Sequence, residues 1–336
     1  MPLLQSYFEN FHKIIKLDED DEKANLREKR DTLLQNLKAN LPAEVPAFED
    51  FHQGSYSMHT GIVPLDGNYD IDVGLVFDCS RSAYPDPVTI KKLVRDALNT
   101  HGRTIDIRRP CVTVTYIRDC KPEYHVDLAI YAKRNDDTLD LAKGKENSDV
   151  SRRIWEQSNP RELTRLICNV FDDKVERAQY RRCIRYIKRW RDQQFASSGS
   201  PLSIALTVAA MHWFKPRFEV SGKAADLLAL LDLAKEMLNQ FRGTSSNDGW
   251  HDRLSVMLPV MPFNDLAECM TNTQMTTLKA KLETLRNALE IAYDESLPEE
   301  ACKIMQKQFG SDFPIPDKSQ TAKAVVAPYI STGTSA

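Results

Sequence analysis

Asp70-Ile71-Asp72 places two carboxylates on alternate residues of Tyr69–Phe77, a segment that alternates in polarity and then turns apolar. In a β-strand residues i and i+2 point to one face, so Asp70 and Asp72 project together while Ile71 and Val73 enter a core. Two such carboxylates repel each other and desolvate badly unless something cationic sits between them. A third acid, Asp127, is flanked by Val126 and Leu128 in another β-branched run, where an aspartate without a partner is expensive. Upstream, Gly54-Ser55 offers a turn whose backbone can approach a phosphate closely and whose N–H groups and hydroxyl can hold a triphosphate tail. Together these residues outline a phosphoryl-transfer site with two magnesium ions, or manganese in their place. Such ions take oxygen ligands and clamp the attacking and leaving oxygens of an in-line displacement.

The elements that must position these groups follow from local pattern. Cys111–Ile117 and Tyr124–Tyr131 are β-branched runs separated by Asp119-Cys120-Lys121-Pro122-Glu123, a turn-like cluster. They predict an antiparallel hairpin with Asp127 in its second strand, and a sheet that carries all three acids. Before the sheet, residues 3–15 and Asp18–Leu41 have helical spacing, the second helix opening on the acidic run 18–22 and carrying Leu26, Leu33, Leu34 and Leu37. Pro85–His101 is a further helix. From Asn159-Pro160, an N-cap followed by proline at the first helical position, helix dominates: about 160–172, 174–195, 201–214, 222–241 and 272–292. Gly243–Gly249 is expected as a polar loop, and the stretch from Pro314 to Ala336 as an unpacked tail.

The expectation is an α+β fold of two lobes: residues 1–150 with the N-terminal helices and the catalytic core, 151–313 as a helical lobe closing the nucleotide site, and 314–336 as the tail. The 336 residues carry a net charge of −3, which disfavours a stable, sequence-blind duplex binder. Seven dispersed cysteines form no CxxC or zinc-finger spacing and point to reduced thiols in a cytoplasm rather than to zinc. The first residues run straight into polar helical sequence without a secretion signal, and no apolar stretch is long enough to span a bilayer.

The block His52-Gln53-Gly54-Ser55-Tyr56, Tyr69-Asp70-Ile71-Asp72-Val73 and His125-Val126-Asp127-Leu128 resembles the signature of polymerase-β-like nucleotidyltransferases. Within that superfamily the chain resembles the bacterial cGAS-like enzymes, the CD-NTases, and among them the bacterial cyclic-GMP-AMP synthase branch. Cys183–Asp192, followed by Gly199-Ser200-Pro201-Leu202-Ser203-Ile204, is similar to the family's lysine-bearing helix, loop and serine-started helix. The resemblance implies a mixed or antiparallel catalytic sheet beneath a helical C-terminal lobe. It also implies that Asp70 and Asp72 bind both metal ions, that Asp127 completes the site beside the acceptor hydroxyl, and that Gly54, Ser55, Lys188 and Ser203 hold the donor triphosphate. Lys188 has a second reading: its helix also carries Arg181, Arg182, Arg185, Arg189 and Arg191, as a solvated face would. Ser203 could equally cap its helix. Tyr56 and Thr60 either line the nucleotide or pack; Trp190 is expected in a core; His125 shares a strand face with Asp127. At the position after Ser203, where some relatives carry a base-stacking aromatic, this chain has Ile204.

By resemblance the reaction joins ATP and a second NTP into a cyclic di- or trinucleotide with release of pyrophosphate. The product would activate a downstream effector in antiphage (CBASS) signalling, and a ubiquitin-transfer-like partner would conjugate the tail, Val325–Ala336. A template-independent terminal transferase acting on RNA and a catalytically silent scaffold are the rival functions. The balanced charge disfavours the first, and the intact acids disfavour the second.

Overall fold

The structure is a computed structural model that describes residues 4–17, 22–99, 103–118, 121–196, 199–246 and 249–316. The expected tail, apart from residues 314–316, lies outside the described residues, as do residues 18–21 of the acidic run and residues 119–120 of the turn cluster.

Two helices, α1 (Gln5–Ile15) and α2 (Glu22–Asn40), precede strand β1 (Phe48–His52) and the short helix α3 (Gly54–Ser57). Then come β2 (Tyr69–Phe77), α4 (Pro87–Leu98), β3 (Arg103–Ile107), β4 (Val112–Arg118), β5 (Lys121–Lys133), β6 (Leu139–Lys143) and β7 (Ile154–Ser158). These seven strands form one mixed sheet in the order β1-β2-β5-β4-β3, with β6 on β5 and β7 on β6. β4 and β5 pair antiparallel, as their sequences predict, while β2 and β5 run parallel. The α+β class and the mixed sheet therefore hold.

Alternation explains how the sheet divides. Ile71, Val73, Leu75 and Phe77 of β2 and Val126, Leu128 and Ile130 of β5 are buried beneath α2 and α4, whose Leu33, Leu37, Ile90 and Val94 are also fully buried. Each such side chain contributes about 1.5–3 kcal/mol by leaving water. The opposite face carries Asp70, Asp72 and Gly74 of β2 and Asp127 and Ala129 of β5, ending in a small cluster of Val76, Tyr131, Leu139 and Leu141. The acids thus sit on the face that the two covering helices leave open.

The helical part contains α5 (Pro160–Cys168), α6 (Lys174–Gln194), α7 (Ser203–Trp213), α8 (Asp226–Asn239), the hairpin β8 (Arg242–Ser246) and β9 (Gly249–Arg253), α9 (Asn272–Asp294) and α10 (Pro298–Phe309). Asn159 caps α5 through a side-chain bond from Glu162 N, with Pro160 at the first turn, as expected. Three expectations are corrected. The sheet runs on to Ser158, past the division placed at 150, because β7 pairs with β6 along its length. α1 belongs to the helical cluster: Phe8 and Phe11 pack on Tyr186, Phe309 and Phe313 with ring centroids 5.1–6.3 Å apart. Where a loop is expected, Gly243–Ser246 is extended and pairs antiparallel with Gly249–Asp252; Gly243 lets the Trp250 ring lie against its backbone, where a Cβ would come within 2.4 Å of the indole.

Candidate active site

The three acids converge. Parallel register sets Asp72 opposite Asp127 and Asp70 opposite His125. Each carboxylate offers an oxygen within 4.8 Å of the others, with Asp70 exposed and Asp72 and Asp127 half-buried. Desolvation, then the charges of Asp72 and Asp127, pushes Asp70 well above the usual carboxylate range, with Arg108 opposing. Asp72 is raised by desolvation and by Asp127, with Lys188 opposing. An all-oxygen acidic triad of this kind fits hard divalent cations and fits poorly as a bare cluster. Among the described residues this is the sole group of three or more His, Cys, Asp or Glu side chains close enough to share a metal ion.

Gly54 lies against this triad. Its φ is +66°, and a Cβ placed there would stand 1.8 Å from Asp72 Oδ2 and 2.6 Å from Asp72 Cγ. The glycine is therefore required twice, by its left-handed backbone and by the carboxylate it touches. Gln53 N donates to Asp72 O at 3.2 Å, and Tyr131 OH donates to Gln53 Oε1 at 3.0 Å, which ties the turn to both central strands. A cleft of about 400 Å³ opens over this face, lined by Gln53, Gly54, Asp72, Tyr131 and Ile204 among others.

Lys188 is neither solvated nor in contact with an acid. It is buried and donates to Thr60 O at 3.0 Å and to Thr60 Oγ1 at 3.2 Å. Burial, then Arg191 and Arg185, pushes its ammonium down to about 7, while Asp72 acts in the opposite sense. Its neighbours on the same helical face behave alike. Arg185 donates to His59 O and Gly61 O, and Arg189 donates to Val63 O. The face that charge alone marks as solvated is thus turned inward, gripping the backbone of 59–63 that follows the glycine–serine turn. The spacing 185, 188, 189, with no acid among those positions, is the signal that could have shown it.

Ser55 sits in α3, its carbonyl accepting from Thr60 N at 2.9 Å, and it lines a different cavity from Gly54. Ser203 begins α7 without capping it, since Leu202 is the N-cap residue; the next residue, Ile204, reaches the cleft. Tyr56 accepts a hydrogen bond from Arg27 and packs beside the His52 ring. Trp190 is fully buried, as expected. His125 is engaged with Thr115 Oγ1 at 2.9 Å. One residue was missed: Thr113, whose hydroxyl donates to Asp127 Oδ1. The alternation Thr113, Thr115 in an otherwise apolar strand, set against Asp127 and His125, was its sequence signal.

Two family models match the chain: the nucleotidyltransferase domain of cyclic GMP-AMP synthase DncV-like proteins over residues 48–131, and the C-terminal domain of cyclic GMP-AMP synthase over residues 177–321. A cyclic GMP-AMP synthase of Escherichia albertii is 30% identical over 182 residues, which are 51% of this chain and 38% of that protein. The match thus spans well under half of that relative's length. Among solved structures, Vibrio cholerae DncV cyclic AMP-GMP synthase in complex with the linear intermediate 5′ pppA(3′,5′)pG superposes with a TM-score of 0.67 at 18% identity, covering 91% of this chain and 97% of that one. The Bradyrhizobium diazoefficiens CD-NTase CdnG in complex with GTP gives a TM-score of 0.68 at 15% identity, covering 96% and 98%. These two likenesses carry the fold, that of the polymerase-β-like nucleotidyltransferases, and the matching domain models carry the family. The chain belongs to the CD-NTase family of nucleotidyltransferases.

Proposed function

We propose that the chain is a cyclic oligonucleotide synthase that joins NTPs, ATP among them, into a cyclic di- or trinucleotide and releases pyrophosphate. The observation that carries this reading is the triad of Asp70, Asp72 and Asp127, its oxygens within 4.8 Å of one another beside Gly54 at a nucleotide-sized cleft. The residues fit a pair of magnesium ions: Asp70 and Asp72 would hold both and Asp127 would complete the site. When bound, such ions neutralise the charge that develops on the transferring phosphoryl group and make an acceptor hydroxyl more acidic. Gly54 and Ser55 hold the donor phosphates through their backbone N–H groups, Ser55 also forming part of the wall of a second cavity. Lys188, its ammonium lowered to about 7 by burial, and Ser203 of α7 reach the same triphosphate. Thr113 orients Asp127. A ribose hydroxyl attacks the donor α-phosphorus, the bond to the bridging oxygen breaks, and pyrophosphate leaves. A second attack within the linear product closes the ring.

In this reading the division into a catalytic and a helical part falls after β7: the sheet supplies the acids, and α5, Ile204 of α7 and the 258–266 segment supply the opposite wall. No helix among the described residues is long and apolar enough to cross a membrane. A cytoplasmic setting, an antiphage role, a nucleotide-activated effector downstream and conjugation of the tail through a ubiquitin-transfer-like partner belong to the same proposal, supported by the family alone. The test is incubation with labelled NTPs and magnesium, phosphatase digestion and separation of products. A small phosphatase-resistant product is expected, and its mass identifies bases and ring size. Labelled RNA would establish a terminal transferase instead, and no product from any NTP mixture would establish a scaffold. Asp70→Asn/Asp72→Asn is expected to abolish the product. Conjugation is tested separately by deleting Thr332–Ala336, which is expected to remove partner-dependent conjugates.

A further inference from the structure

A second cavity, of about 410 Å³, lies between α1, α6 and the 55–61 segment, and shares no lining residue with the cleft. Five cations line it, Lys13, Lys16, Arg181, Arg182 and Arg185, against one carboxylate, Glu9. Glu9 already accepts from Gln5 Nε2 at 3.0 Å. Arg182 is used by the buried Asp226, and Arg185 by the carbonyls of His59 and Gly61. That leaves three cations: the Lys13, Lys16 and Arg181 side chains have no hydrogen bond or ion pair with any described residue, and Arg181 Nε is buried without a partner. Guanidinium N–H groups seldom stay unpaired in a buried place, because the loss of water is not compensated.

The surroundings report the same excess of positive charge. His12, in the same wall, accepts a hydrogen bond from Arg185 at 3.0 Å when neutral, and burial, Arg185, Arg182 and Lys16 push its imidazole down to about 3. A cavity of this size takes a small molecule. Three converging cations, one with the planar fork of arginine and two acting as point charges, match the oxygens of linked phosphates.

We propose that this cavity is a second anion-binding site, separate from the catalytic cleft, for a polyphosphate chain, whether free or carried as a nucleotide tail. Its wall includes Ser55 and the His59–Gly61 segment held by Arg185 and Lys188. An occupant therefore touches the back of the glycine–serine turn. The binding claim does not rest on the proposed activity.

The test uses the full chain in EDTA, which removes divalent ions from the acid triad, with titration calorimetry against sodium tripolyphosphate and, separately, ATP. Saturable binding at one site is expected, with hydrogen-exchange protection in peptides covering residues 9–17 and 178–185. Each charged hydrogen bond removed weakens binding by about tenfold, so Lys13→Gln/Lys16→Gln/Arg181→Gln is expected to weaken it by about 1,000-fold. Lys13 is exposed, so Lys13→Gln alone, without a change in thermal midpoint, is expected to weaken binding by about fivefold to tenfold. Asp70→Asn/Asp72→Asn is expected to bind as well as the wild type, so loss of nucleotidyl transfer and loss of this site are read separately. Equal affinity for tripolyphosphate and ATP identifies the phosphate chain as the ligand; much tighter ATP binding identifies a nucleotide. No saturable binding, binding unchanged in the triple variant, or protection confined to the 53–60 and 200–206 segments would overturn the proposal.

Discussion

Gly54→Ala is the sharpest test of how the turn and the acids depend on one another. The backbone at 54 is left-handed, with φ +66°, which costs an alanine about 1–2 kcal/mol. The new methyl would also stand 1.8 Å from Asp72 Oδ2, so Asp72 must leave its rotamer, at a further cost of about 0.5–1.5 kcal/mol. The sum is about 1.5–3.5 kcal/mol of stability. The larger effect falls on the site. Displacing a metal-binding carboxylate through its support weakens metal affinity by about 10–100-fold, and nucleotidyl transfer should fall at least as far. Gly67→Ala is the internal control: its φ is +70°, and a Cβ there meets nothing within 4 Å. It should cost the same backbone penalty of about 1–2 kcal/mol and leave the site untouched. Thermal unfolding gives the first quantity, and calorimetric titration with Mg²⁺ or Mn²⁺ gives the second. Wild-type metal affinity in Gly54→Ala, or an equal loss of affinity in Gly67→Ala, would refute the reasoning.

Other outcomes follow from the same geometry. Thr113→Val removes the hydroxyl that orients Asp127 and should weaken divalent-ion affinity by about 10–100-fold, measured by titration. Asp226→Ala strips the buried partner from Arg182, Tyr186 and Gln179, and should cost about 3–5 kcal/mol in chemical unfolding. Mg²⁺ at 100 times its Kd should stabilise the chain by about 2.7 kcal/mol, a gain that EDTA reverses. Asp72→Asn should lose that gain and yet be the more stable chain without metal, because the repulsion with Asp127 is relieved. His12 has a folded pKa of about 3, below its unfolded value of 6.5. Its contribution is therefore complete above pH 6.5 and is lost as pH falls from there toward 3; His12→Gln should flatten that acid limb in unfolding curves.

The sequence disclosed what is local. Alternation in Tyr69–Phe77 put Asp70 and Asp72 on one face, and the two β-branched runs around 111–131 formed the expected hairpin. The parallel pairing of β2 with β5 was not legible, because no neighbouring residues encode a contact across 55 positions; yet that pairing sets Asp72 against Asp127. Short strands such as β1, β6 and β7 carry too few residues to show a period. α10, not foreseen, opens on Pro298-Glu299-Glu300 and has its apolar residues only further on. The inward turn of Arg185, Lys188 and Arg189 was hidden for a different reason. Their partners are backbone carbonyls, which every sequence possesses and none advertises.

The seat of α1 has a consequence for synthesis. Phe8 and Phe11 are synthesised well before part of their cover, which includes Phe309 and Phe313. At about 5–20 residues per second, the 298 positions from Phe11 to Phe309 take roughly 15–60 s to translate. For that interval a short aromatic helix waits without its final partners, a natural client for a chaperone.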